Sequence, residues 1–178
     1  MTPRENPDTL SKPFAHRLSA MIVAGLLTYR EYTPWADAII LQTPEPPRWL
    51  LDLTVTKYRG DAIKIVETFA HSEPFEHLSV DAWVDEQVAA VYLRHERREL
   101  SWATFLDMAG GMADANGGRN ECEYFFEMLN EFEEADFAEP VELKQRDIIT
   151  TEYADVIASV RITFECINKF RRPVRQTL

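Results

Sequence analysis

The chain has 178 residues, 46% of them hydrophobic and 28% charged, enough to bury ~70% of its unfolded surface around one core without disulfide staples. Thirty acidic residues against nineteen basic ones leave a net charge of −11, the opposite of what a general nucleic-acid binder needs to neutralise phosphates. No apolar run approaches the ~20 residues of a membrane span. Residues 1–12 do not read as a signal peptide, and the two cysteines form neither a disulfide framework nor a zinc pattern. A cytoplasmic protein is expected, with Cys122 and Cys166 as small buried hydrophobes.

In chain order, residues 1–12 carry Pro3, Asn6, Pro7 and Asp8 without an apolar period and read as a flexible N-terminal arm. Phe14, Leu18, Met21 and Ile22 keep helical spacing from Pro13 to Ala24, with Gly25 as the stop. Thr28 and Glu31 make a capping box for the next helix. Thr33 before Pro34 then suggests a restart running through Trp35, Ile39 and Ile40 until Pro44, Pro46 and Pro47. Residues 49–56, with Trp49, Leu50, Leu53 and Val55, are too few to settle their own period, and helix is favoured over strand. Asp61 is the expected N-cap of a helix carrying Ala62, Ile63, Val66, Phe69 and Ala70. Ser79 caps a longer helix to about Arg97, with Val80, Val84, Val88, Val91 and His95 on one side and Asp81, Asp85 and Glu86 in its N-terminal turns.

Ser101 caps a segment bearing Phe105, Leu106 and Met108 that is expected to bend or break at Gly110 and Gly111, and Asn116, Gly117 and Gly118 make a loop. Asn120 is the expected cap of an acidic helix whose Cys122, Phe125, Met128, Leu129 and Phe132 share one face. At 100° per residue, Glu123, Glu127, Glu131 and Glu134 fall opposite that face. A final helix from about Ile148 to Phe170 is expected from the seven-residue rhythm of Ile149, Tyr153, Val156, Val160, Phe164, Ile167 and Phe170, although residues 161–164 also fit a strand. The sum is an all-α fold, an irregular bundle of about seven to eight helices in a single domain over 13–170. A basic C-terminal tail, 171–178, follows, and Lys169, Arg171, Arg172 and Arg175 lie within the last ten residues.

The stretch Gly25-Leu26-Leu27-Thr28-Tyr29-Arg30-Glu31, followed by Trp35-Ala36-Asp37 and by 46–53, resembles a segment of small bacterial all-helical proteins, some of them immunity-like or regulatory. The resemblance implies a helix-turn-helix packing unit and brings no catalytic residue with it.

From Glu121 to Glu142 there are nine acids and no Lys or Arg, so this stretch holds −9 of the −11. It reads either as a solvated face or as a docking surface that steers towards a basic protein such as a nuclease and anchors through apolar edges at Tyr124, Phe126 and Phe137. The glutamate stripe is expected to be exposed and mutually repulsive. The alternative is a divalent-metal-dependent enzyme similar to the all-α nucleotide pyrophosphohydrolases, because Glu96 with Glu99 and Glu133 with Asp136 have the one-turn spacing of such metal ligands. The first pair lies among Arg94, Arg97 and Arg98, however, which suits ion pairing. An EF-hand comparison of Asp114 to Phe125 fails, with Arg119 at the sixth position and Phe125 at the twelfth. The histidines His16, His71, His77 and His95 lack i, i+4 companions, a site from His71, Glu73, Glu76 and His77 is weaker than a solvated loop, and no nucleophile elbow is present. The expectation is therefore a non-enzymatic interaction protein of immunity or inhibitor type. Its partner-binding residues are Glu123, Glu127, Glu131, Glu134, Tyr124 and Phe137. No catalytic residue, metal or cofactor, no nucleic acid and no membrane is expected, and homo-oligomerisation is left open.

Overall fold

A computed structural model describes residues 8–171. Among these the chain forms α1 (Lys12–Val23), α2 (Tyr29–Gln42), α3 (Arg48–Thr54), α4 (Arg59–Ala70), α5 (Val80–Glu96), α6 (Trp102–Asn116), α7 (Cys122–Glu134), α8 (Glu139–Glu152) and α9 (Ala154–Asn168). The all-α class holds, with nine helices rather than seven or eight. Residues 49–56 and 161–164 are helical apart from the exit of α3 at Val55 and Thr56. Buried apolar side chains from every helix form one contiguous cluster.

Polar caps start several helices, with Thr28, Ser79 and Ser101 where the sequence reading puts them and Ser11 inside the expected arm. The Phe14 amide donates to Ser11 Oγ at 3.3 Å, the Thr28 amide to Glu31 Oε2 at 2.9 Å, the Ala82 amide to Ser79 Oγ at 3.2 Å and the Thr104 amide to Ser101 Oγ at 3.1 Å. Each satisfies a donor that the first helical turn leaves orphaned. Two expected caps are corrected. Asp61 lies inside the first turn of α4, behind Tyr58, where its charge still suits the helix dipole. The Asn120 amide instead donates to Glu152 Oε1 and to the Tyr153 hydroxyl, both at 2.9 Å, and Glu121 takes the cap position without a side-chain bond.

Three further boundaries differ from the sequence reading. Thr33 and Pro34 do not restart a helix, because α2 runs unbroken through Pro34, whose fixed φ suits a helix while its missing N–H deprives the Arg30 carbonyl of an intrahelical donor. Helix α6 continues through Gly110 and Gly111, and Gly110 is needed there for packing: a Cβ on it would lie 2.6 Å from Phe126 Cε1. The expected 148–170 helix is two elements. Helix α8 starts at Glu139 with Pro140 in its first turn, and the chain kinks at the buried Tyr153. The rhythm survives the kink because the Tyr153 amide still donates to the Ile149 carbonyl and the Ile157 amide to that of Tyr153.

Helix α5 lies at the centre, against α1, α6 and α9, and α9 also returns to α2. Its residues 84–93 are all buried. Asp85 and Glu86, placed by the sequence in the N-terminal turns of this helix, are therefore inside, while Val80, expected on the apolar side, is 56% exposed. The arm also ends sooner than expected. Residues 8–11 form a turn into α1, and the ammonium of the buried Lys12 donates to the carbonyls of Ser72 and Pro74. Residues 1–7 of the arm and 172–178 of the tail lie outside the described residues. Arg171 reaches Glu31 Oε1 at 3.4 Å and is not on the acidic helix.

Candidate functional site

Helix α7 is amphipathic because its apolar residues recur every three to four positions. Phe125, Met128 and Phe132 are buried against the core, with Cys122 and Leu129 half-buried at the margin. This fixes the opposite face, and Glu123, Glu127, Glu131 and Glu134 are all exposed.

The stripe is not uniform. Glu131 accepts from Lys144 Nζ and from Gln145 Nε2, both at 3.0 Å, and these bonds hold its carboxyl below the usual range. Gln145 is fully buried; its Nε2 also donates to the Met128 carbonyl, and its Oε1 accepts from Trp102 Nε1, both at 2.8 Å. Glu131 thus ends a chain of hydrogen bonds joining α6, α7 and α8, which corrects its reading as a purely repulsive charge. Glu142 faces Arg146 and His95, each at 3.7 Å. By contrast Glu121, Glu123, Glu127, Glu133, Glu134, Asp136 and Glu139 have no ion pair among the described residues. Glu123 does accept from the Cys122 thiol at 3.1 Å, and that bond is the chief reason the thiol is pushed up, away from the nucleophilic thiolate. Neither cysteine is fully buried.

At the end of α7 the Phe137 amide donates to the Phe132 carbonyl and the Asp136 amide to that of Glu133, both at 2.9 Å. This is a Schellman cap, and the edge-to-face contact of Phe137 with Phe132, centroids 5.3 Å apart, is its usual apolar partner. The position normally given to glycine is Asp136, at φ 53°, and Phe137 follows at φ 57°. Left-handed backbone at two consecutive residues with Cβ atoms is unfavourable. Phe137 nevertheless stays 55% exposed, ringed in sequence by Glu133, Glu134, Asp136 and Glu139, with Leu143 54% exposed on α8. Tyr124 contributes less: half-buried, its hydroxyl donates to Glu152 Oε2, and burial together with that bond raises its pKa. Phe126 is turned against Gly110.

The residues named for a metal-dependent enzyme are not brought together as a site. Glu96 pairs with Arg161 at 2.8 Å, and Glu99 with Arg97 at 2.8 Å and Arg94 at 3.4 Å. Carboxylates that do share a cavity are ones the sequence reading did not name as metal ligands. Asp85, Glu86 and Asp155 line a space of about 280 Å³ with Arg17. Burial pushes Asp85 and Glu86 up, opposed by Arg119 at 3.5 Å from Asp85 and by Arg17 at 2.6 Å from Glu86. Among the described residues no three His, Cys, Asp or Glu side chains form a group that could hold a metal ion.

Sequence reasoning missed Gln145, although a signal existed: it falls four residues after Val141 and four before Ile149, a polar residue on an apolar stripe. The fold and site thus define an all-α protein with a carboxylate face that is largely without ion pairs among the described residues and ends in an exposed aromatic residue. Comparison with protein-family models, curated proteins and solved structures finds no match to this chain. No described helix is long and apolar enough to cross a membrane.

Proposed function

We propose that this is a cytoplasmic, non-enzymatic interaction protein of immunity or inhibitor type, docking a basic protein partner through α7 and the α7–α8 turn. The observation that carries the reading is Phe137, held outward on left-handed backbone amid carboxylates that have no ion pair among the described residues. Unpaired charge speeds and orients encounter with an oppositely charged surface, and a desolvated aromatic residue holds the complex once formed. Glu123, Glu127 and Glu134 supply the field and Phe137 the anchor. Glu131 serves mainly the fold, and Tyr124 offers only its ring edge.

The test is capture of partners by the purified chain from its host's lysate, compared with Glu127→Lys/Glu134→Lys and with Phe137→Ala. The charge reversal should slow association and mimic added salt, and Phe137→Ala should speed dissociation, with both variants melting like the wild type. A basic protein retained equally by all three sinks the docking reading. Saturable magnesium binding by calorimetry, lost in Asp85→Asn, would point to the enzyme alternative instead.

A further inference from the structure

Away from α7, the first half of α2, the α3–α4 link and Arg171, three residues past α9, enclose a cavity of about 460 Å³, within the range of small-molecule sites. Its lining includes Tyr29, Arg30, Thr33, Pro34, Lys57 and Arg171. Asp37 is the single carboxylate in that lining, and its Oδ1 accepts from the Thr54 hydroxyl. Three cations from three separate segments therefore converge on one space in a chain of net charge −11.

Two of those cations have no ion pair among the described residues. The Arg30 guanidinium lies 5.9 Å and the Lys57 ammonium 6.0 Å from the centroid of the Tyr29 ring, which is itself 39% exposed. Cation–π contacts at such exposed positions are weak, so both groups are free to turn to an oxyanion. A neighbouring cavity of about 400 Å³ also borders Tyr29 and Lys57, but its arginines are occupied: Arg59 donates to the Val23 carbonyl at 2.7 Å and Arg94 to that of Ala24 at 2.8 Å, closing the end of α1. Arg171, in the first cavity, is likewise paired with Glu31, so the cations available to a ligand are Arg30 and Lys57.

An independent observation concerns neutral polar atoms at the same place. The Thr33 hydroxyl is buried without a hydrogen-bond partner, although a helical threonine ordinarily bonds back to the preceding turn. Beside it, Pro34 leaves the Arg30 carbonyl without its intrahelical donor. A buried hydroxyl without a partner, in a residue that lines a cavity, calls for an explanation such as a bound group.

We propose that this cavity binds a small organic phosphate bearing a planar ring. The dianion takes Arg30 and Lys57, with Arg171 held beside it by Glu31, the ring lies against Tyr29, and a polar substituent meets the Thr33 hydroxyl. The site is distinct from the α7 docking face and stands or falls without it.

The experiment is calorimetric titration of the full chain with phenyl phosphate, with inorganic phosphate and benzyl alcohol as the two half-ligands. Phenyl phosphate should bind saturably and at least tenfold more tightly than either half, and Arg30→Gln/Lys57→Gln should weaken it at least tenfold. Amide shifts on the wild-type chain should localise to 29–37 and 57, a readout independent of how the variant folds. Absence of saturable phenyl phosphate binding by the wild type, shifts confined to other segments, or equal affinity in a folded double variant would each overturn the proposal.

Discussion

His16 offers the sharpest test of how the interior is built. It lies on α1, 9% exposed, with its ring 5.6 Å from that of His71 at 87° and 6.1 Å from that of Trp83. Burial, and secondarily the charge of His71, lower its pKa from 6.5 to about 4. The unfolded chain therefore binds a proton on His16 more readily than the folded one. Stability from keeping this ring neutral is complete above pH 6.5 and is lost as the pH falls towards 4. A shift of that size corresponds to about 3 kcal/mol at 1.36 kcal/mol per pKa unit. The ring borders a cavity of about 270 Å³ shared with Glu67 and His71, and water entering there screens the charge, so about 2 kcal/mol is the working figure. Urea unfolding of wild type and His16→Gln at pH 7.0, 5.5 and 4.5 gives the comparison, because carboxylate titration is common to both proteins and cancels. The gap between them should narrow by about 2 kcal/mol on acidification. Parallel pH curves, or a His16 ring resonance titrating near 6.5 in the folded protein, would refute the reasoning.

Four other substitutions probe helix ends and buried contacts. Asp136→Gly and Arg98→Gly relieve left-handed backbone at helix ends (φ 53° and 61°) and should each raise unfolding free energy by about 0.5 to 1 kcal/mol, measured by urea titration; Asp136→Ala should not. Gly110→Ala forces Phe126 to move and should cost about 1 to 3 kcal/mol, with the altered ring environment visible in near-ultraviolet circular dichroism. Gln145→Ala strands Trp102 Nε1 and the Met128 carbonyl and should cost about 2 to 4 kcal/mol; a melting temperature unchanged from wild type would show that solvent replaces the amide.

Helix starts were legible in the sequence because Ser, Thr and Glu at fixed offsets leave a local mark. Ser11, which falls in the expected arm, and the starts of α4, α7 and α8 are exceptions. Helix ends were legible where glycine or proline marks them, at Gly25, Pro44 and Gly117. The ends at Arg98 and Asp136 use the same geometry as that at Gly25, with Glu99 N donating to Arg94 O and Phe137 N to Phe132 O, but non-glycine residues fill the left-handed positions and leave no mark. The α8–α9 kink was hidden for a different reason, since Tyr153 carries the apolar rhythm across it and no proline or glycine falls there. Helix α5 misled because it is enclosed on several sides, so no single polar stripe separates its buried carboxylates from solvent ones. Within the candidate site, the exposure of the four glutamates followed from period alone. The capture of Glu131 did not, because it depends on Lys144 and Gln145, which approach only once α8 has folded back.

Helix α7 packs chiefly on α6, and α8 touches α7 and α9 only lightly, whereas α5 is held by three neighbours. Opening is easiest where tertiary support is thinnest, so amide protons of α8 should exchange with solvent well before those of α5. The acidic stretch therefore runs from the firmly packed α7 into the helix that breathes. A partner clasping the α7–α8 turn would bind the closed form alone, and by mass action would slow exchange across α8 while leaving α5 unchanged.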